Sequence, residues 1–443
     1  MLPLRHERRP TIRNKISLTS TSSRHLPRSL TRYTRLVIIL GILTLGLVAL
    51  RNVRAKTREK YIQKEFEQIR NYERSLPQNS LYHPKRMVKF SNEVWGLGLN
   101  NQLNNRLMLS HLAYISKRAY VFQDVMFGDT WGINPWYPLN TFISGPTAGG
   151  PFPRGIMAPR SISAESWERH CPIKERTLLN VSVVNEELGI VHDVTEGLSV
   201  LKKWGEKLLT MTDYFGSPKS LQLWPIFSTS PAITGFQWSN TVLNAVKRNT
   251  PLITGRVVEP NYNMENVLAL HLRRGDFEPH CTHMTKYASG YNSWNLLSEL
   301  PDKYIPPDSS SIEDPHDVEI FMRHCWPSIE DVVRRVGQVK NDYDAIGGLP
   351  PLDAIYILTN GDKPWVTALK QSIRQSSPVW KRVTSSHDLS LKNGPEKLAA
   401  QAVDMAIASQ TGSLIGNGFS TLTANVVMFR LLDGKHPQTC RMW

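Results

Sequence analysis

The chain has 443 residues, with 53 Lys and Arg against 38 Asp and Glu, and a formal net charge of +15. A hydrophobic share of 40 % excludes wholesale disorder and a collagen-like fibre, and the length allows a two-lobed enzyme whose core needs no metal or disulfide staple. Where the charge lies decides whether the partner is a polyanion, a membrane surface or an acidic ligand.

Residues 1–35 carry nine Arg and Lys against Glu7, and residues 51–60 carry five more against Glu59. These two runs hold +12 of the +15, so the remaining chain is nearly balanced and a nucleic-acid partner is not expected. Between them lies the uncharged LVIILGILTLGLVAL, residues 36–50. At 15 residues it is shorter than the roughly 20 of a full span, but flanking arginines can snorkel and thin membranes suit short spans. The segment is expected to be a signal anchor, because the basic lead is too long for a cleaved signal peptide and no A-x-A site follows. The more basic tail, 1–35, is then cytoplasmic, and the rest is lumenal in a single-pass type II topology. Asn180-Val181-Ser182 is a glycosylation sequon, and Cys171, Cys281, Cys325 and Cys440 allow two disulfides in three pairings. The histidines beside these cysteines match no zinc spacing, and no metal site is expected.

Residues 51–86 read as a stem, with charges of alternating sign at helical spacing. The folded part is expected to begin near Met87. A helix is predicted over Leu103–Lys117 and a strand over Ala119–Gln123. Residues 144–160 and 301–316 are too rich in Gly, Pro and Ser for regular structure and read as long, functional loops. Strands follow at Val267–His271, Ala354–Thr359 and Ser413–Gly416, with helices at Glu396–Gln410 and Thr421–Leu432. Alternating strands and helices predict an α/β protein with two Rossmann-like lobes and parallel sheets, at 87–254 and 255–443. A ligand belongs in the cleft at the strand carboxyl ends.

Three stretches carry chemistry. In Trp95-Gly96-Leu97-Gly98-Leu99-Asn100-Asn101-Gln102 a glycine loop opens a helix, a geometry that holds an anion or a sugar on backbone N–H groups. It lacks the third glycine of a dinucleotide fingerprint, and a plain tight turn would look the same. His271-Leu272-Arg273-Arg274-Gly275-Asp276-Phe277 ends a buried strand. His271 and Arg273 are two apart and share a face, and a fixed guanidinium suits a pyrophosphate. Gly416-Asn417-Gly418-Phe419-Ser420-Thr421 turns a strand into a helix capped by Ser420 or Thr421, which forms a phosphate cradle or an ordinary cap. Asp404 sits on the preceding helix, where its bland role is a solvated carboxylate. The D-x-D of Asp342-Tyr343-Asp344 falls in a loop-like run and reads as chance.

In this order the three stretches resemble the GDP-fucose protein O-fucosyltransferase superfamily. HLRRGDF is similar to its H-x-R motif, LIGNGFSTLTANVVMFR to its G-N-x-x-S-[ST] motif, GLGLNNQ to its N-terminal Asn-Gln loop, and IYILTN to the strand before its T-[DN] turn. The resemblance implies a lumenal GT-B fold that transfers fucose from GDP-fucose with inversion and needs neither metal nor cofactor. It implies that Arg273 holds the pyrophosphate and stabilises the departing GDP and that His271 contacts the nucleoside. Ser420 and Thr421 would bind phosphate oxygens, and Asp404 would bind guanine. Gly98, Asn100 and Asn417 would complete the donor contacts, with Asn101 near the sugar and the incoming hydroxyl. Some members carry a carboxylate directly before the first loop as a base. Here the nearest is Glu93, three residues before Gly96, and Asp276 and Glu278 are other candidates. The expected activity is protein Ser/Thr O-fucosylation in the Golgi or endoplasmic reticulum membrane. A glycan-directed fucosyltransferase, or a catalytically silent anchored protein of the same fold, would carry similar motifs.

Overall fold

The computed structural model describes residues 37–47, 64–76, 86–90, 98–127, 136–151, 161–181, 186–191, 218–256 and 264–443. Residues 37–47 form an apolar helix with exposed side chains, and among the described residues no helix is long and apolar enough to cross a membrane. The expected span 36–50 extends beyond this helix at both ends, outside the described residues.

Residues 62–443 form one compact unit. It opens with a helix at 64–75 that is docked rather than free. Arg70 forks onto Asp124 at 2.6 and 2.5 Å, and the buried Glu73 carboxylate accepts the Asn140 backbone N–H at 3.0 Å. Part of the stretch expected as a stem is thus fixed to the fold.

The first sheet contains β1 (Met87–Phe90), β2 (Ala119–Phe122), β3 (Ile162–Ser163), β4 (Thr177–Val181) and β5 (Glu186–Val191), in the order β3-β2-β1-β5-β4. Strands β1, β2 and β3 run parallel, joined by helix α1 (Leu99–Ile115) after β1. Strands β4 and β5 form an antiparallel pair that joins the edge of β1. The sheet is therefore mixed, not purely parallel as expected. Short ladders tie Val125–Met126 to Trp136–Tyr137 and Ile143–Ser144 to Gln237–Trp238. The loop expected over 144–160 begins with this ladder and a turn of helix at Pro146–Ala148; residues 152–160 lie outside the described residues. Helix α2 (Asn240–Thr254) is capped by Ser239, whose hydroxyl accepts the Val242 N–H, and closes at Gly255 with φ of 70°.

The second sheet is wholly parallel. Its strands are β6 (Met264–Leu272), β7 (Ala354–Thr359), β8 (Arg382–Ser385), β9 (Thr411–Gly416) and β10 (Cys440–Met442), in the order β8-β7-β6-β9-β10. Between β6 and β7 come helices α3 (Phe277–Thr285), α4 (Pro315–Cys325) and α5 (Ile329–Ile346). Helix α6 (Lys363–Gln375) follows β7, α7 (Ala400–Gln410) precedes β9, and α8 (Thr421–Leu432) follows it. The helix expected over Glu396–Gln410 breaks at Ala399 into Gly394–Leu398 and α7.

Strand β6 is buried almost throughout, as a central parallel strand requires. Its period of two divides the core. Val267 and Ala269 pack into the cluster of α7 and α8, whereas Leu268, Leu270 and Leu272 pack with Val332 and Val336 of α5 and Leu369 of α6. Counted within this sheet, the strand order is 3-2-1-4-5, which reverses direction between β6 and β9. Open α/β sheets bind ligands at such a switch point, beyond the strand carboxyl ends.

Two cysteines are joined. Cys281 on α3 bonds Cys325 on α4, and their Cα atoms are 5.9 Å apart. Cys171 and Cys440 are buried free thiols, which corrects the expectation of a second disulfide. Cys440 instead lies 3.3 Å from the buried Arg430 Nε. Asp342 and Asp344 are on helix α5, not in a loop. Asp342 pairs with Arg441 at 2.7 Å and Asp344 with Lys340.

Candidate functional site

At the end of β6 successive side chains leave toward opposite faces. His271 turns to α8, where its Nδ1 meets the Thr423 hydroxyl at 2.7 Å. Its carbonyl accepts the Trp443 indole N–H at 2.8 Å. Burial, with Arg273 adding to it, pushes the imidazole down to about 3, so the ring is neutral at ordinary pH. In this structure His271 is a tie between the strand end and helix α8, a narrower role than the nucleoside contact expected of it.

The two arginines part. Arg274 is buried between Trp326 and Trp365, with its guanidinium carbon 4.3 Å from each ring centroid, and it donates to the Pro327 carbonyl. Burial lowers it to about 10. Its backbone N–H and C=O both bond the Asn360 amide, at 2.7 and 2.8 Å, which pins the turn at Gly275, where φ is +66°. Arg273 is one-third exposed and lies near the Phe277 ring. It pairs with Asp276 at 3.1 Å, and Asp276 is itself largely exposed. Such a pair is weak and exchangeable. The Arg273 Nε is buried and has no hydrogen-bond partner. A guanidinium with a weak partner and an orphaned buried N–H is equipped to receive an anion.

The second element is the turn from β9 into α8. Close packing demands its glycines: a Cβ on Gly416 would fall 2.2 Å from Thr423 Cγ2, and one on Gly418 would fall 2.2 Å from Tyr291 Cδ1. Asn417 is consumed by the turn itself, donating to the Cys325 carbonyl at 2.7 Å and accepting the Phe419 N–H at 3.0 Å. Ser420 caps α8 by accepting the Leu422 N–H at 3.3 Å, and Thr421 stands half-buried at the first helical position. The turn is gripped by Asn292, which donates to the Phe419 carbonyl at 2.8 Å, and by Asn295, which donates to the Gly418 carbonyl at 2.9 Å. These residues and Tyr291 were not found from the sequence. The only hint was their density in the run Tyr291-Asn292-Ser293-Trp294-Asn295.

The third element is the start of α1. Gly98 is its N-cap and supplies no side-chain bond. Helix α1 meets α8 here: the Asn425 amide donates to the Asn100 carbonyl at 3.0 Å, and the Asn100 amide reaches Gln401 at 3.5 Å. Asn100, Asn101, Asn104 and Asn425 each carry a buried side-chain oxygen without a donor. Gln102 serves the fold, bonding Met126 on both its N–H and its carbonyl. Thus the first and third stretches meet at Asn100 and Asn425, and the second and third at His271 and Thr423.

Asp404 is part-buried and hydrogen-bonded rather than a freely solvated carboxylate. Its carboxylate accepts the Tyr356 hydroxyl at 2.5 Å and the Ser386 hydroxyl at 2.9 Å, and burial pushes it up to about 6 against those two bonds. It lies on the same face of the second sheet as His271, one strand further from the switch point. Glu93 lies outside the described residues. For Asn180 the backbone is in β4, and Ser182 of its sequon lies outside the described residues. Among the described residues no group of three or more His, Cys, Asp or Glu could hold a metal ion. A cleft of about 540 Å³ among α4, α5 and Trp443 is lined by none of the residues expected at the donor site.

No protein-family profile matches the chain, and no curated protein sequence does. Solved structures do align with it. POFUT1 in complex with GDP-fucose is 14 % identical, over 79 % of this chain and 95 % of that one, with a TM-score of 0.46. POFUT1 in complex with GDP is 12 % identical over 78 % and 96 %, with a TM-score of 0.43. The POFUT1 apo-form is 12 % identical over 80 % and 98 %, with a TM-score of 0.45. A likeness at this level carries no argument about fold, residues or activity.

Proposed function

We propose that this protein is a glycosyltransferase that moves fucose from GDP-fucose to an acceptor hydroxyl, with inversion at C1 and without a metal ion. The observation that carries the reading is Arg273. It follows β6 at the switch point of a 3-2-1-4-5 parallel sheet, with an orphaned buried Nε, and the Ser420-capped helix α8 follows the neighbouring strand β9. As the bond from C1 to the diphosphate breaks, negative charge grows on the leaving GDP. A fixed guanidinium and a helix N-terminus stabilise that charge without reorganisation. In this account Arg273 exchanges Asp276 for phosphate oxygens, and Thr421 with the first N–H groups of α8 receives the rest. Asp404 accepts the guanine N–H groups, and His271 holds Thr423 and thereby the helix start in place. The donorless oxygens of Asn100 and Asn101 accept sugar or acceptor hydroxyls. Asp276, released from Arg273, and Glu93 are the candidate bases.

We take the acceptor to be protein Ser or Thr, on the resemblance in the three stretches. We place the catalytic unit in the lumen of the Golgi or endoplasmic reticulum, held by one type II anchor. The charge map supports this, as does the Cys281–Cys325 bridge, which suits an oxidising compartment. The test is product mass spectrometry after incubation with GDP-fucose and mixed peptide and glycan acceptors. A deoxyhexose added to a Ser- or Thr-containing peptide is the expected result. Addition to glycans alone would overturn the protein acceptor, and no addition with no GDP binding would overturn the enzyme.

A further inference from the structure

A groove of about 330 Å³ lies between the helix 64–75, the ladder Ile143–Ser144/Gln237–Trp238 and the start of α2. Its volume is at the lower end of small-ligand sites, which run from about 300 to 1,000 Å³. No Lys, Arg, Asp or Glu lines it. On the helix side it is lined by Gln68, Ile69 and Tyr72, and Tyr72 is 44 % exposed. Its floor is Asn140 and Trp238, both buried. Gln237, Asn240 and Thr241 present amides and a hydroxyl at the opposite rim, and both amide side chains are exposed.

The walls are held from behind. Asn140 donates to Glu73 at 3.2 Å and to the Ala148 carbonyl at 3.1 Å, and its side-chain oxygen accepts nothing. Trp238 packs edge-on against Phe236 at 4.9 Å and Phe429 at 5.1 Å. Ser239 is fixed by its bond to the Thr141 carbonyl at 2.7 Å. A groove with an aromatic wall, planar amides, a donorless buried oxygen in its floor and no charge matches a molecule with apolar C–H faces and many uncharged hydroxyls. A phosphate, an acidic sugar or a basic peptide would leave its charge unpaired there.

We propose that this groove binds a neutral oligosaccharide, at a subsite separate from the donor site. Phe429, against which Trp238 packs, is eight residues beyond Thr421 along α8, or roughly 12 Å at 1.5 Å per residue. A sugar in the groove is therefore out of reach of the donor's C1. It anchors a glycan chain whose far end, or whose carrier protein, reaches the reacting hydroxyl. Only this role as an acceptor arm rests on the transferase reading; the binding itself does not.

The test is ligand-observed NMR titration of the full chain, in a detergent without a sugar head group. The ligands are neutral di- and trisaccharides built from glucose, mannose, galactose and N-acetylglucosamine, with a uronic disaccharide and adenosine as controls. At least one neutral ligand is expected to bind. Tyr72→Ala should weaken it about tenfold, the weight of one lost ring face, and Gln237→Ala several-fold, while both variants keep the GDP-induced rise in Tm. The proposal is overturned if no neutral sugar binds at millimolar concentration, if the uronic sugar or adenosine binds as well as the best neutral one, or if both variants keep full affinity. Sugar binding without a GDP-induced rise in Tm would leave the groove standing and remove the donor assignment instead.

Discussion

Arg273 and Arg274 show how one step along a strand separates binding from support. Alternation sends Arg274 between two indole rings and leaves Arg273 at the mouth of the switch point. The sequence showed two adjacent arginines and could not tell which was buried, because Trp326 and Trp365 come from distant elements. Arg274→Ala removes two cation–π contacts and a charge-assisted hydrogen bond, and should lower unfolding stability by about 3 kcal/mol in urea denaturation. Titration separates two groups of residues by sign. His111, with neither ring nitrogen bonded, is pushed down by burial to about 4, and His271 to about 3. Both contribute stability above the unfolded value of 6.5, lost as pH falls toward those folded values. The Tm should therefore drop between pH 7 and 5, and His111→Phe should flatten that drop. Asp404 has the opposite sign: raised to about 6, it favours the fold at low pH and loses that contribution as pH rises from about 4 through 6. If its carboxylate accepts guanine N–H groups, GDP affinity should increase as pH passes 6. Asp404→Asn should remove that increase beyond the part due to the phosphate's own titration near 6.

The elements most legible in the sequence were the parallel strands. Ala354–Thr359 and the helix Thr421–Leu432 were read to the residue, because a strand buried on both faces and a helix opening on Ser-Thr carry their signal locally. What escaped was set by distant partners. The β4–β5 pair joins β1 across almost a hundred residues, and no local pattern names the strand beside which a hairpin settles. Cysteine pairing escaped for the same reason, since only the packing of α3 on α4 brings Cys281 and Cys325 within bonding range. The candidate site was half legible: Arg273 and the α8 start lay in the motifs, whereas Tyr291, Asn292 and Asn295 come from the segment between α3 and α4, around a single 3-10 turn at Ser293–Leu296. Two changes test these elements. Gly418→Ala drives a methyl into Tyr291, and should lower stability and weaken GDP binding together, read by thermal shift with and without nucleotide. Replacing both Cys281 and Cys325 by Ser opens a 44-residue loop, and should lower stability by about 4 kcal/mol in the chain-entropy account.

For the whole molecule, charge and fold divide the labour. Twelve of the fifteen net positive charges flank the apolar run 36–50, and the compact unit that follows is nearly neutral. Excess charge thus serves membrane orientation in the account proposed here, and binding of an anion falls to Arg273. Helix α1, which follows β1 of the first sheet, and helix α8, which follows β9 of the second, bond at Asn100 and Asn425, so elements of both sheets meet beside the candidate site. Arg273 is proposed to receive a nucleoside diphosphate. Calorimetric titration of GDP into the wild-type protein and Arg273→Ala tests it most directly. Saturable one-to-one binding to the wild type is expected, with about a 10- to 100-fold loss in the variant, the weight of one hydrogen-bonded charge. No binding to the wild type, or equal affinity in the variant, would contradict it.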